Sequence, residues 1–367
     1  MMELRFFRDV IIKALLLFVI FNLVLMYFPR DTEKEQISLY NSIVPGRERF
    51  PFGEAPQLAY NLSLYDLDAM FAAHQVSARP GNQNELRIFV VGDSSVWGTL
   101  LEPKETLSGI LNEMKLTCGE QSLQFYNLGY PTISLTKDMM IMQRATRYQP
   151  DLIIWLTTLE AFPLDKQLAS PLALNNPQRI QPLVEQYQLP LEVTMLEEDI
   201  WSRSLWGQRR TYADWIRLQM YGFMWAATGI DQYYGPYEPA AWDLEEDENY
   251  YQFAPPTLPN EELLWQALPA ALNLKGDVPL WLVNEPIMIS AGENSEIRYN
   301  YFYPRWAYDQ YRRELIQRSA HLGVPLIDAW DWIAPQEFTN SAIHLTPVGE
   351  RMLAEGLAEE IEASFCP

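Results

Sequence analysis

The chain has 367 residues and a formal net charge of −21 at pH 7, from 48 Asp and Glu against 27 Lys and Arg. So acidic a surface repels phosphate backbones, which argues against nucleic-acid binding. Apolar residues make up 48 % of the chain, enough for a sizeable core, and its two cysteines, Cys118 and Cys366, sit in no metal-ligand spacing.

Residues 10–29 (VIIKALLLFVIFNLVLMYFP) are almost wholly apolar, and roughly 20 such residues span a bilayer core. Lys13 can snorkel to the headgroups. Arg5, Arg8 and Lys13 lie on the N-terminal side, whereas Arg30 and Lys34 are mixed with Asp31, Glu33 and Glu35. The Lys/Arg bias puts the N-terminus inside and the rest outside. No small-residue cleavage site follows the run, so the rival reading, a signal peptide, is set aside for an uncleaved single-pass anchor behind a cytoplasmic tail, 1–9. Residues 30–85 are polar with scattered Pro and Gly, and read as a tether and domain entrance.

A strand–helix rhythm then starts. LRIFVVG (86–92), LQFYNLG (123–129), DLIIWLT (151–157), VPLWLVN (278–284) and VPLID (324–328) are apolar runs suited to buried strands. Helical patterns cover 104–115, 135–148, 261–272 and 305–322, and Pro347 opens a closing helix at a position where a missing N–H is harmless. This alternation predicts an α/β domain over 86–367, with one parallel sheet covered on both faces. Between 160 and 260 the rhythm stops and Trp, Tyr and Pro become dense. This stretch reads as an inserted cap or lid with a helix at 210–228, and the acidic run 243–249 as solvated loop. Its aromatics suit three roles: cap packing, stacking on sugar rings, or contact with a membrane surface. Cys118 follows a predicted helix and Cys366 ends the last one, so both a disulfide and two unpaired thiols stay open.

Open parallel sheets place reactive groups at the C-terminal ends of their strands. The first strand ends in Gly92-Asp93-Ser94-Ser95, a turn that exposes a serine hydroxyl and aims backbone N–H groups at one point. The same serine could simply cap a helix. Asn127-Leu128-Gly129 ends the next strand, and His344 stands just before the closing helix. Of the other two histidines, His74 is in the tether region and His321 ends a helix, so His344 is the candidate base for Ser94. Asn284 ends the fourth strand beside the same opening, as an amide donor or only as part of an Asn-Glu-Pro turn.

In order and spacing, GDSS (92–95), NLG (127–129), PDLIIWLT (150–157) and IHLTPVG (343–349) resemble the blocks of the SGNH, or GDSL-like, hydrolase family over roughly 85–160 and 278–365. The resemblance implies a flavodoxin-like three-layer fold with sheet order 2-1-3-4-5. It also implies Ser94 as nucleophile, His344 as base, and the N–H groups of Ser94 and Gly129 as oxyanion donors. Two blocks depart from the pattern. Thr157-Thr158-Leu159-Glu160 stands where the family has GxND, leaving Thr157, Thr158 or Asn284 to replace the amide. Ser341, not Asp, stands three residues before His344, leaving Ser341, Asp328, Asp331 or a backbone carbonyl to orient the ring. The expected work is that of an extracytoplasmic serine esterase or O-acyltransferase on cell-envelope or exported polysaccharide, beside a membrane-bound acyltransferase, with no metal or cofactor. The alternative is a non-catalytic SGNH-like module that binds glycan or serves an assembly.

Overall fold

The computed structural model describes residues 2–27, 36–44, 46–53, 61–78, 84–195, 199–229 and 236–366. Residues 28–35, which include the end of the expected anchor and the start of the expected tether, lie outside them. Helix α1 (Met2–Tyr27) is continuous. Leu15, Leu16, Leu17, Phe18, Val19 and Ile20 follow one another around it, each between 47 % and 66 % exposed. Most of its circumference therefore touches no other part of the chain. Among the described residues no helix is long and apolar enough to cross a membrane. The side chains of α1 are described without a break only up to Val24, a stretch that includes Arg8, Asp9 and Lys13, while the apolar run continues past Leu25.

Helices α2 (Leu39–Ile43), α3 (Leu67–Ala73) and α4 (Gln75–Ala78) fall in the stretch read as a tether. Ser38 and Asp66 cap the first two, accepting from the N–H groups of Asn41 and Ala69. Leu67, Met70, Phe71 and Val76 are buried in the main core. This part of the tether is therefore integral to the domain. Its polar residues act as caps and ion-pair partners, as Asp68 does for Arg144 at 2.5 Å.

The α/β body runs β1 (Glu85–Gly92), α5 (Ser94–Trp97), α6 (Leu107–Met114), β2 (Thr117–Cys118), β3 (Gln121–Gly129), α7 (Leu135–Ala145) and β4 (Leu152–Thr157). Then come α8 (Pro171–Asn175), α9 (Pro177–Tyr187), α10 (Arg209–Thr228), α11 (Ala267–Leu274), β5 (Leu280–Asn284), α12 (Arg305–Leu322), β6 (Leu326–Asp328) and α13 (Pro347–Ser364). Successive side chains of a strand point to opposite faces. On β4, Ile153 and Trp155 enter one core with α7 and α11, while Leu152, Ile154 and Leu156 enter the other with α6 and α13. That two-sided burial is why the strands read as unbroken apolar runs.

The sheet has six strands in the order β2-β3-β1-β4-β5-β6, which corrects the five-stranded order 2-1-3-4-5. The addition is β2, a two-residue edge strand antiparallel to β3, whereas β3, β1, β4, β5 and β6 pair in parallel. Lys115 ends α6 with φ 54°, and Gly119 turns the chain with φ 60°, so the segment folds back along β3. Cys118 on this edge is bonded to Cys366, with their Cα atoms 4.9 Å apart and 248 residues between them in sequence. Bridging so long a loop restricts the unfolded chain. Reducing it is expected to remove about 2–5 kcal/mol of stability. Denaturant midpoints with and without reductant test this; coincident midpoints would show that the bridge contributes nothing.

Of the stretch between β4 and β5, part joins the main core through Ile180, Leu183, Tyr250 and Leu264. Helix α10 does not: its Leu218 packs with Tyr40, Leu62, Ala69 and Ala73 in a separate cluster over α2 and α3.

Candidate active site

The site is built where β1 ends. Asp93 caps the single turn α5, its carboxylate accepting from the Ser95 N–H at 2.8 Å, so Ser94 becomes the first residue of that turn. Gly129 lets the turn lie directly on the end of β3, since a Cβ there would stand 2.4 Å from the Trp97 nitrogen. His344 arrives from the loop before α13. That loop is pinned by a bridge between Phe338 and Leu345, and by the Thr339 N–H donating to the His344 carbonyl at 2.8 Å.

These constraints bring Ser94 and His344 together: Nε2 lies 2.8 Å from Ser94 Oγ. Nδ1 lies 3.1 Å from Asn340 Oδ1. That oxygen can only accept, so Nδ1 carries the ring proton and Nε2 is free to take the serine proton. Burial pushes the His344 pKa down to about 4, which keeps the ring neutral and basic at neutral pH. Asn340 was not anticipated. Its only sequence signal is an acceptor side chain four residues before the histidine.

The three proposed orienting residues do not serve. Asp328 is taken by Asn284 Nδ2 at 2.8 Å and by Arg312 at 2.7 Å. Asp331 is exposed, and Ser341 hydrogen-bonds Tyr301. In each case the chain directs the side chain away from Nδ1.

The oxyanion candidates also need correction. The Gly129 N–H donates to Asn127 Oδ1 at 3.0 Å and is not open to a substrate. Fully buried Asn284 donates to Asp328 and accepts from the hydroxyls of Tyr308 at 3.3 Å and Tyr311 at 3.1 Å. It therefore turns toward α12. The Thr158 hydroxyl is held by Tyr303 at 3.1 Å. The Thr157 hydroxyl is buried without a partner, and the Ser94 N–H, in the first turn of α5, has no acceptor among the described residues.

Beneath the serine lies a buried ionisable group of residues. Ser95 Oγ donates to Glu285 Oε2 at 2.5 Å, tying the nucleophile turn to the residue after β5. Burial, and then the charge of Asp93, push the Glu285 pKa well above the usual carboxylate range, so it is a neutral acid at pH 7. Burial also raises Asp93, against the attraction of Lys137. Lys137 donates to the carbonyls of Gly92 at 2.8 Å and Tyr130 at 3.1 Å, and pairs with Asp138 at 2.6 Å. It thereby holds the ends of β1 and β3 from below. The cavity bounded by Ser95, Glu285 and Glu350 is about 10 Å³, too small for a substrate.

Burial raises Glu350 to about 8. The folded protein therefore holds a proton that the unfolded chain releases above pH ~4.5. Its contribution to stability is full below that pH and falls as the pH rises to about 8. Glu350→Gln is expected to narrow the stability gap between pH 5 and pH 8 by on the order of 1–4 kcal/mol. Melting curves at the two pH values check it, and an unchanged gap would refute the neutral buried acid.

No protein-family model matches the chain, and no curated protein matches it. Solved structures similar to it are GDSL-family lipolytic hydrolases and esterases. A lipolytic G-D-S-L protein from Veillonella parvula is 11 % identical, over 76 % of this chain and 99 % of its own, with a TM-score of 0.36. A carbohydrate acetylesterase from Sinorhizobium meliloti is 12 % identical over 76 % and 99 %, with a TM-score of 0.35. A lipase/acylhydrolase from Enterococcus faecalis is 13 % identical over 76 % and 96 %, with a TM-score of 0.36.

Proposed function

We propose that this chain is a serine esterase or O-acyltransferase that works outside the cytoplasm on acyl esters of cell-envelope or exported polysaccharide. The observation that carries the chemistry is the 2.8 Å contact between Ser94 Oγ and the unprotonated His344 Nε2. Serine is a poor nucleophile until a base takes its proton, and a neutral imidazole at hydrogen-bond distance is that base. Ser94 attacks the acyl carbonyl as its proton passes to Nε2. His344 then returns the proton to the leaving oxygen, leaving an acyl-serine for water or a sugar hydroxyl to take up. The open Ser94 N–H is the donor for the developing oxyanion.

The location rests on other observations. The apolar residues of α1, exposed around its circumference, support a membrane anchor through residues 10–29. The Cys118–Cys366 pair supports an oxidising compartment. In transfer, a membrane-bound acyltransferase would supply the acyl group from the cytoplasmic side.

A second reading is a non-catalytic module that binds glycan or serves an assembly. It is favoured by the amide, rather than a carboxylate, on His344, and by the absence of a side-chain amide donor among the described residues facing Ser94. A fluorophosphonate probe separates the two. Labelling of the full chain, abolished by Ser94→Ala, is expected. Absence of labelling together with no hydrolysis of p-nitrophenyl acetate would make the binding module the function.

A further inference from the structure

Helix α10 is built inside out for a helix on a water-facing surface, where apolar residues face the protein and polar ones the solvent. Its protein-facing side carries Asp214, fully buried, and Gln219, 8 % exposed. Asp214 accepts from the Tyr65 hydroxyl at 2.8 Å, and Gln219 bonds the backbone of Ile37 at 2.9 Å and of Leu39 at 2.7 Å. Its outward side carries Ile216, Met220 and Met224, spaced four residues apart and 52 %, 65 % and 60 % exposed. Leaving such side chains in water forgoes roughly 1.5–3 kcal/mol each.

The turn before α10 extends this face to α1. Ile200–Arg203 packs against α1, and the Leu205 N–H donates to Asn22 Oδ1 at 3.0 Å. Trp201 and Trp206 stand exposed there, at 66 % and 69 %. The Arg209 guanidinium lies 5.0 Å from the Trp206 ring centre. Arg203, Arg209, Arg210 and Arg217 outnumber Asp199 and Asp214 in this segment, in a chain whose net charge is −21. Trp and Arg beside an apolar stripe are the composition of a headgroup-level surface.

We propose that the outward face of α10, with Trp201 and Trp206, lies in the surface of the bilayer that holds α1, with its arginines among anionic headgroups. The inference rests on the membrane attachment proposed above and extends it. The occupant is lipid because the face continues the exposed apolar surface of α1 and because its charge opposes that of the rest of the chain. Two attachments, α1 and this face, would hold the domain in one orientation on the membrane.

The test uses the full chain in proteoliposomes containing anionic lipid. The native disulfide leaves an introduced cysteine as the reactive thiol. Met220→Cys, Leu17→Cys in α1 and Glu359→Cys on α13 are each labelled with bimane and exposed to nitroxide lipids or aqueous iodide. An interfacial face sits about 5–10 Å into the headgroup boundary, so shallow nitroxides should quench the Met220 label about twofold or more while iodide does not. Deep nitroxides should quench the Leu17 label, and iodide alone the Glu359 label. If iodide reaches position 220 while position 17 is quenched by lipid, this proposal is overturned and the anchor stands. A label at 220 shielded from both quenchers means that a protein covers the face, which also overturns it. If iodide reaches both 17 and 220, the anchor falls with it. Lipid quenching at 220 but not at 17 keeps the face and removes the spanning helix.

Discussion

Ser94→Ala, His344→Ala and the double change are expected to lower ester hydrolysis by similar amounts, on the order of 10³- to 10⁶-fold. The equality follows from geometry. One proton lies between Ser94 Oγ and His344 Nε2 at 2.8 Å, so removing either side chain removes the same step. Whatever rate survives comes from oxyanion stabilisation and binding, which all three variants retain. Single-turnover rates with an activated ester read this directly. A double variant reduced by the product of the two single effects would mean that the residues act separately, and the pair would not be the catalytic unit. Both side chains are near the surface, and their bonds to the fold run through backbone groups, so the variants should fold.

Asn340 is the second place where a small change should have a large effect. Asn340→Ala removes the acceptor of the Nδ1 proton at 3.1 Å and frees the ring to rotate or to adopt the other tautomer. A loss of about 10- to 100-fold in kcat is expected, below the roughly 10⁴-fold that follows when a buried triad acid is replaced by an amide. Asn340→Asp keeps an acceptor there and adds a charge that stabilises the imidazolium. The plateau rate should rise. The sign of the pH effect is fixed by the same charge. His344 works neutral, and its pKa of about 4 places the acid limb of wild-type activity there. A carboxylate raises that pKa, so the limb should move up by about one pH unit, a modest shift because position 340 is solvent-exposed. If Asn340→Ala leaves both rate and pH profile unchanged, another group orients the ring.

The chain's alternating apolar runs were enough to locate the sheet, because a strand buried on both faces must be apolar at every position, as Leu152–Leu156 is. The Ser94–His344 pairing was legible for a similar reason. A serine after a glycine at a strand end has one exposed place to go, and few histidines were available to meet it. The ends of α12 at 305 and 322 were also readable, since Pro304 precedes it and Gly323, with φ 67°, stops it.

What surrounds the pair was decided only by the tertiary structure. Where a side chain at a strand end points depends on the path of the next few residues, which sequence spacing does not carry. Asn284 turned to Asp328, Tyr308 and Tyr311, the Gly129 N–H closed on Asn127, and Asn340, four residues from the histidine, took the role sought at Ser341, Asp328 and Asp331. Edge strand β2 has two residues, too few to show a period, and the helices of 36–78 are too short to announce their buried face. The sidedness of α10 belongs to the same class. Its sequence shows a mixed helix, and only the packing of Asp214 and Gln219 against the body shows that the apolar side is the one left outside. Local patterns record which residues avoid water, but the direction in which each polar group finds its partner is set by contacts between segments far apart in the chain.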